Sequence, residues 1–194
     1  MRALVGCEES QVVTQALRQR GVEAYSCDIQ STRGHSEWHI TGDVFMAIKK
    51  RGPWDMGIFF PPCTYVAVSG ARHFQKPGRL VLQRNALEFM RDLLEANIPK
   101  IAMENPIGVF SSYWRKPDQI IQPWMFGHYE TKATCLWLKN LPPLKPTCIV
   151  GPPVTEQEKI EFAKVHRMAP GPERQRNRSL TYQGIADAMA EQWA

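Results

Sequence analysis

Apolar residues along the first 105 positions are spaced as in alternating strands and helices. Four short apolar runs have the length of buried strands, at 2–6, 22–29, 54–60 and 100–105. Apolar residues at helical spacing fall in the segments 10–21 and 79–99, and Gly21 lies where a helix commonly ends. This alternation is typical of a mostly parallel sheet flanked by helices, so the pattern predicts an α/β fold. Ligands of such sheets bind beyond the carboxyl ends of the strands.

The clearest amphipathic helix is the segment 79–99. Its apolar positions are predicted to form one buried side, made of Leu80, Leu82, Ala86, Leu87, Met90, Leu93 and Leu94. The second half is less regular and rich in proline, with a predicted strand at 132–138 and a short helix at 155–168. A closing helix at 182–194 is predicted to bury Ile185, Ala186, Met189, Ala190 and Trp193. We predict one domain, 1–194, with a proline-rich and basic segment at 142–180.

Composition and charge narrow the class of protein. The chain has 194 residues, of which 43% are hydrophobic and 22% charged, a globular balance. The net charge of +5 favours a polyanionic partner but suits any soluble basic protein equally well. No apolar stretch approaches the ~20 residues of a membrane span, and the first ten residues lack the apolar core of a signal peptide. The five cysteines are an odd number and contain no CxxC pair, which favours a reduced, cytoplasmic compartment. The lack of an apolar span predicts no membrane partner.

Two short segments carry candidate chemistry. Cys63 follows an apolar run and two prolines, which would expose its thiol at a strand end. The alternative is that Cys63 is a small buried residue of the core. Glu104 and Asn105 directly follow the apolar residues of another predicted strand. An acid and an amide at a strand end can bind the donor and acceptor edge of a heterocycle.

Taken together, these segments resemble a known family. The pair Pro62-Cys63, then Ser69-Gly70, then Glu104-Asn105 resembles the motifs of the cytosine-C5 DNA methyltransferases, including the small stand-alone members found in phage and prophage genomes. The resemblance covers residues 3–138, with a weaker similarity in the last helix. It implies a Rossmann-like methyltransferase fold that uses S-adenosylmethionine, with DNA containing cytosine as the partner.

The resemblance also implies roles for individual residues. Cys63 would attack C6 of cytosine, Glu104 would bind ring N3, and Asn105 would hold the strand end and the loop in register. Asp28 would bind the ribose of S-adenosylmethionine, and Asp43 would bind its adenine. The implied cofactor-binding set is Gly6, Cys7, Glu8, Glu9, Ser10, Asp28, Ile29, Asp43, Val44 and Pro61. Glu8 or Glu9 would meet the methionine end of the cofactor, or alternatively start the following helix.

The implied substrate-binding residues are Pro62, Ser69, Gly70, Lys132, Arg174, Arg176 and Arg178. In the segment 126–138, Glu130, Lys132 and Thr134 stand where the family has a glutamine and two arginines. Lys132 is alternatively a solvated lysine of an edge strand. The region between Leu138 and Arg174 is short for a target-recognition region, and the arginines suit phosphate contacts. We therefore expect relaxed sequence preference, a single-stranded substrate, or a protein that supplies targeting.

Two other functions and one other kind of site remain as alternatives. A free pyrimidine nucleotide would suit so small a protein. A catalytically silent DNA- or protein-binding relative is the other possibility, because the cofactor loop carries side chains where the family has glycines. His35 and His39 have a spacing compatible with zinc, but no third ligand is evident. We predict structural roles for these histidines and no metal site.

Overall fold

The computed structural model describes residues 1–169, 171 and 179–194. Its centre is a seven-stranded sheet in the order β3-β2-β1-β4-β5-β7-β6. The strands are β1 Arg2–Gly6, β2 Glu23–Asp28, β3 His39–Thr41, β4 Met56–Phe59, β5 Lys100–Pro106, β6 Gln119–Ile121 and β7 Thr134–Lys139. Neighbours from β3 to β5 pair in parallel, whereas β7 runs antiparallel to both β5 and β6. The predicted mostly parallel α/β sheet is confirmed.

Helices cover both faces of this sheet. The helices are α1 Val12–Gln19, α2 Val44–Arg51, α3 Arg79–Leu94, α4 Phe110–Tyr113, α5 Glu156–Glu161, α6 Lys164–Arg167 and α7 Gln183–Trp193. Apolar side chains of α1 and α7 pack on one face, and those of α2 and α3 pack on the other. Strand β1 lies between two parallel neighbours and is buried from Ala3 to Gly6, as expected of a central strand. Within the described residues, no helix is long and apolar enough to cross a membrane.

The register of the sheet aligns the strand ends that carry the candidate residues. Gly6 at the end of β1 pairs with Cys27 on one side and with Phe59 on the other. Phe59 in turn pairs with Met103, so Glu104 comes level with Phe60, one residue beyond the end of β4. The carboxyl ends of β1, β2, β4 and β5 therefore form one continuous edge.

The helix predictions are confirmed in part. The five residues predicted to face inward on the last helix are all buried, as are Leu87, Met90, Leu93 and Leu94 of α3. The prediction for the start of α3 was wrong, because the side chains of Leu80 and Leu82 are 64% and 44% exposed. Helical spacing places them on the same side as the core residues, but that first turn lies outside the packed region. Helix α2 and strands β3 and β6 were not predicted.

The segment after β4 is bound to the segment after β5. The Val109 N–H donates to the Val66 carbonyl at 2.9 Å, and the Val68 N–H donates to the Ile107 carbonyl at 3.1 Å. Between these bonds, Ala67 and Gly108 form an isolated antiparallel bridge. A Cβ atom on Gly108 would lie 2.4 Å from the Val66 carbonyl oxygen. Only glycine therefore lets the two segments approach so closely.

Replacing Gly108 by alanine should separate these two segments. Because the obstructing atom belongs to the backbone, we expect Gly108→Ala to lower the free energy of unfolding by about 1–3 kcal/mol, as overpacking does. Urea denaturation followed by circular dichroism measures this. The matched control is Gly171→Ala, since a Cβ atom there meets no atom of the described residues within 4 Å. Equal stability of the two variants would contradict the role given to Gly108.

Candidate active site at the carboxyl ends of the strands

Cys63 lies in a turn that is held by the neighbouring strand. The Asn105 side chain, at the end of β5, donates from Nδ2 to the Pro61 carbonyl at 2.8 Å. The Cys63 carbonyl accepts from the N–H groups of Val66 and Ala67 at 3.1 and 3.0 Å. Cys63 itself is half-buried and touches the apolar cluster on the α2 and α3 face. The predicted role of Asn105, holding the strand end and the loop together, corresponds to this hydrogen bond.

Glu104 points to the other face of the sheet. It pairs with Leu136 of β7, whose side chain belongs to the core under α1 and α7. Burial raises the pKa of the Glu104 carboxyl, while the charge of Lys132 and a hydrogen bond with Thr134 oppose the rise. At neutral pH, this environment favours the protonated carboxyl more than water does.

A small cavity adjoins the Glu104 carboxyl. It is lined by Glu104, Lys132, Thr134, Thr181, Tyr182, Ile185 and Met189. Its volume of about 10 Å³ is that of about one water molecule. Sequence analysis missed Thr181 and Tyr182, because only the docking of α7 brings them beside Glu104. No local sequence signal distinguishes them from other residues at the start of a helix.

Cys63 is not among the residues that line this cavity. The structure brings the thiol and the carboxyl to adjacent strand ends, but from opposite faces of the sheet. A reacting pyrimidine would have to reach both groups at once. A nucleophile attacks the face of a pyrimidine, whereas an acid that hydrogen-bonds ring nitrogen must reach its edge.

Polar groups also meet at the ends of β1, β2 and β3. Burial and the charges of Asp28, Cys27 and Asp43 raise the pKa of the Cys7 thiol to about 12. Asp28 Oδ1 accepts from the Gln30 N–H at 2.9 Å, and Asp43 Oδ1 caps α2 by accepting from the Met46 N–H at 2.9 Å. The sequence predicted cofactor contacts for both acids, and the structure places both near Cys7.

The backbone of the loop after β1 keeps a glycine-like shape without glycine. Cys7 and Gln11 both have φ of 61°, in the left-handed region that side chains disfavour. The Cys7 N–H is fixed by the Cys27 carbonyl at 2.7 Å. The Gln11 side chain donates to Ser26 Oγ and to the His35 carbonyl, at 2.9 Å each. Surrounding contacts thus hold a strained loop, and such strain clusters at functional sites.

The two acids of this loop have different partners. Glu8 is 4% exposed, and its carboxylate accepts from the N–H groups of Val13 and Thr14 and from the Thr14 hydroxyl. It therefore starts α1, which is the alternative that sequence analysis left open, and it is not placed to contact a cofactor. Glu9 forms an ion pair with Arg33. Ser10, the next residue of the loop, is half-buried.

The other predicted cofactor contacts divide into buried and exposed residues. Gly6, Val44 and Pro61 are buried, and a Cβ atom on Gly6 would lie 2.7 Å from the Val44 side chain. These residues shape the strand ends from within. Ile29, beside Asp28, is 81% exposed and offers an apolar surface at the end of β2. An exposed apolar side chain beside two acids fits a nucleoside, which has a flat base and a ribose with hydroxyl donors.

The chain was also compared with known proteins. No family model and no curated protein matches its sequence. Solved structures similar to it include a protein described as a DNA modification methyltransferase encoded within an E. coli prophage, with 14% sequence identity, a TM-score of 0.49, and coverage of 77% of this chain and 51% of that one. S. pombe Dnmt2 methyltransferase has 15% identity, a TM-score of 0.48, and coverage of 74% and 51%. The 16S rRNA methylase RmtB has 17% identity, a TM-score of 0.38, and coverage of 71% and 55%.

All three are described as methyltransferases. The chain spans about half the length of each. At these TM-scores the likeness decides nothing about activity, and the geometry of the strand ends carries the functional hypothesis.

The predicted substrate-binding residues are only partly described. Pro62 and Ser69 are exposed and Gly70 is half-buried, all in the segment that follows β4. Lys132 lies beside Glu104, rather than standing in solvent at a sheet edge. Arg174, Arg176 and Arg178 lie outside the described residues. The site therefore has a described thiol, carboxyl and lysine, with no structural account of the arginine segment.

The two histidines with zinc-like spacing make other contacts. The His39 ring nitrogens lie 2.8 Å from Ser26 Oγ and 2.8 Å from the Gln30 carbonyl oxygen. The His35 ring stacks against Trp38 with centroids 4.0 Å apart. These contacts agree with structural roles for both residues.

The buried Glu8 carboxyl should make stability depend on pH. Burial raises the pKa of Glu8 from 4.5 to about 7, so the folded protein keeps a proton that the unfolded chain releases. The stabilisation is full below about pH 4.5 and is lost as pH rises towards 7, an effect on the order of 3 kcal/mol. Glu8→Gln should flatten the pH dependence of the free energy of unfolding across this range, whereas Glu23→Gln, at an exposed site, should leave it unchanged. Equal slopes for Glu8→Gln and the wild type would refute this assignment.

Proposed function

We propose that this protein is an S-adenosylmethionine-dependent methyltransferase that acts on C5 of cytosine in DNA. One observation carries the proposal. The Pro62-Cys63 turn and the Glu104-Asn105 strand end are joined by the hydrogen bond from Asn105 to Pro61 and lie at adjacent carboxyl ends of a parallel sheet. A thiol and an acid held in this way suit covalent catalysis on a pyrimidine.

Among the described cysteines, the environments favour Cys63 as the nucleophile. Burial raises the pKa of Cys7 to about 12 and those of Cys27 and Cys135 to about 11, so these three thiols stay protonated. Cys148 is exposed, but it follows β7, and its carbonyl accepts from the Gly127 N–H, outside the turn that follows β4. Cys63 is partly accessible and follows the end of a parallel strand, where ligands of such sheets bind.

In the proposed reaction, Cys63 Sγ forms a bond to C6 of cytosine. This addition turns C5 into an enamine carbon, which is nucleophilic enough to take a methyl group. When bound, S-adenosylmethionine supplies that methyl group as an electrophile. Transfer of the C5 proton to solvent water then lets the C6–Sγ bond break, which restores the aromatic ring and the free thiolate and leaves S-adenosylhomocysteine as the second product.

Glu104 stabilises the ring during the addition. Attack at C6 places negative charge towards N3, and a carboxyl that keeps its proton donates a hydrogen bond there. Burial favours the protonated form by raising the Glu104 pKa. Lys132 adds a positive charge beside the carboxyl and limits the rise.

The cofactor would occupy the ends of β1, β2 and β3. Asp28 and Asp43 offer carboxylates for the ribose hydroxyls and the adenine amine, and Ile29 offers an apolar surface for the base. The left-handed backbone at Cys7 lets the loop after β1 turn sharply at the end of the strand. The retention of this shape without glycine supports a cofactor site over a silent binding protein.

A covalent intermediate can be trapped. Fluorine at C5 cannot leave as a proton does, so an oligonucleotide containing 5-fluorocytosine should form a stable adduct with the wild type in the presence of S-adenosylmethionine. Cys63→Ser should form none, and Cys148→Ser should behave as the wild type, because Cys148 lies outside the turn that follows β4. Denaturing electrophoresis and mass spectrometry detect the adduct. If Cys63→Ser forms as much adduct as the wild type, Cys63 is not the nucleophile.

The same assay separates the substrate classes. Single-stranded and duplex oligonucleotides and 5-fluoro-dCMP are offered in parallel. A predominant adduct with either oligonucleotide supports nucleic acid, and an adduct confined to the free nucleotide would replace DNA by a nucleotide substrate.

Substitution of Glu104 should lower the rate of methyl transfer without changing the affinity for S-adenosylmethionine. We expect Glu104→Ala to bind S-adenosylmethionine as the wild type does, because β5 lies two strands away from β1. Its turnover should fall by about 10²–10⁴-fold, the usual contribution of a general acid. Calorimetry measures binding, and transfer of a labelled methyl group measures turnover. Glu95→Ala, at the exposed end of α3, is the control.

Unchanged turnover would remove Glu104 from the mechanism. If S-adenosylmethionine gives the wild type neither a heat of binding nor a shift in melting temperature, the alternative of a catalytically silent DNA- or protein-binding relative is favoured instead.

A further inference from the structure

The Tyr182 hydroxyl is a buried polar group that the proposed mechanism does not use. It belongs to the residue that precedes α7, and its oxygen has no hydrogen-bond partner among the described residues. Leaving a buried hydroxyl unpaired costs about 1–3 kcal/mol, so such groups call for an explanation. The ring lines the same small cavity as the Glu104 carboxyl.

Contacts on several sides fix the position of Tyr182. Its carbonyl accepts from the N–H groups of Ile185 and Ala186 at 3.0 and 3.1 Å and so starts α7. The His128 ring packs against the Tyr182 ring with centroids 5.1 Å apart, and His128 Nε2 accepts from the Gly184 N–H at 2.9 Å. A Cβ atom on Gly184 would lie 1.9 Å from the Phe126 carbonyl oxygen, so glycine permits this close approach.

Tyr182 is also linked to the charged groups of the site. The Lys132 ammonium lies 5.8 Å from the centroid of its ring, within the range of a cation–π contact. Burial and the negative charge of Glu130 raise the pKa of Tyr182, so the hydroxyl remains a donor at physiological pH. Glu130 is itself 5% exposed. The cavity is therefore lined by the residues that carry a carboxyl (Glu104), an ammonium (Lys132) and a protonated phenol (Tyr182).

The size of the cavity limits what can enter it. A volume of about 10 Å³ admits one polar atom of a ligand, but not a whole ring. In cytosine, N3 lies between the C2 carbonyl and the C4 amino group. A protonated Glu104 can donate to N3 and accept from the C4 amino group, which leaves the C2 carbonyl oxygen in need of a donor.

We propose that Tyr182 recognises the pyrimidine by donating a hydrogen bond from its hydroxyl to the C2 carbonyl oxygen. The proposal rests on the proposed function, since it concerns the same site. Tyr182 is then a substrate-binding residue that the sequence motifs do not include. Its ring contacts Lys132 beside Glu104, and its hydroxyl binds the C2 carbonyl oxygen next to N3.

The test compares Tyr182→Phe with Tyr129→Phe. Phenylalanine keeps the ring over Lys132 and removes only the hydroxyl, so folding should be preserved. Tyr129 is 62% exposed, and its ring packs against Phe162, which makes it a matched control. The affinity for oligonucleotides with one target cytosine is measured by fluorescence anisotropy, and methyl transfer is measured in parallel. We expect Tyr182→Phe to weaken binding and kcat/KM about tenfold, and Tyr129→Phe to change neither.

A modified base tests whether the C2 carbonyl oxygen is the atom that accepts the hydrogen bond from Tyr182. In 2-thiocytosine, sulfur replaces the C2 oxygen and is a weak acceptor. The wild type should lose affinity on this exchange, and Tyr182→Phe should be nearly insensitive to it. Equal sensitivity of the two proteins, or full activity of Tyr182→Phe on cytosine, would overturn the proposal.

The outcomes also separate this inference from the proposed function. Suppose that the wild type transfers no methyl group, but loses affinity for 2-thiocytosine in a way that depends on Tyr182. That result would support the recognition role of Tyr182 and contradict the proposed methyl transfer. Methyl transfer that is unaffected in Tyr182→Phe would keep the chemistry and reject the recognition role.

Discussion

The candidate site depends on the connection between the ends of β4 and β5. Cys63 lies in an irregular segment that has no place in the sheet, and such segments are usually mobile. Here the Asn105 side chain binds the Pro61 carbonyl, and two backbone hydrogen bonds join the segments around Val66 and Val109. The buried Asn105 Oδ1 has no partner among the described residues, so this connection is kept in spite of an energetic cost.

Burial has different chemical consequences on the two sides of the sheet edge. At Glu104 it raises the pKa of the carboxyl and so favours the protonated form that the proposed chemistry uses, while Lys132 moderates the effect. At Cys7 it keeps a thiol neutral between two acids, where a thiolate would repel them. At Glu8 it produces a helix start whose strength varies with pH. One physical effect, the removal of an ionisable group from water, thus acts at the proposed catalytic acid, in the proposed cofactor loop and at the start of a helix.

Much of this fold could be predicted from the chain, because buried parallel strands and amphipathic helices leave clear patterns. The pattern failed at Leu80 and Leu82, since spacing gives the side of a helix but not where its packing begins. The short strands β3 and β6 have three residues each, too few for a period to emerge. The adjacency of Cys63, Glu104 and Asn105 followed from two motifs at successive strand ends. The role of Glu8 needed coordinates, because both alternatives place an acid before a helix. The proposed role of Tyr182 could not be predicted, because it depends on a cavity shared with Glu104, which is distant in sequence.

Helix α7 follows all seven strands in the chain, which affects the order in which the candidate site can form during synthesis. The ribosome has made all seven strands before residues 181–193 appear, so the sheet can assemble while the wall beside Glu104 is still missing. Until α7 docks, Tyr182 is not beside Glu104, and the burial that raises the pKa of the carboxyl is incomplete. Docking of α7 therefore completes the wall beside Glu104 after the strands that carry the candidate site have been made.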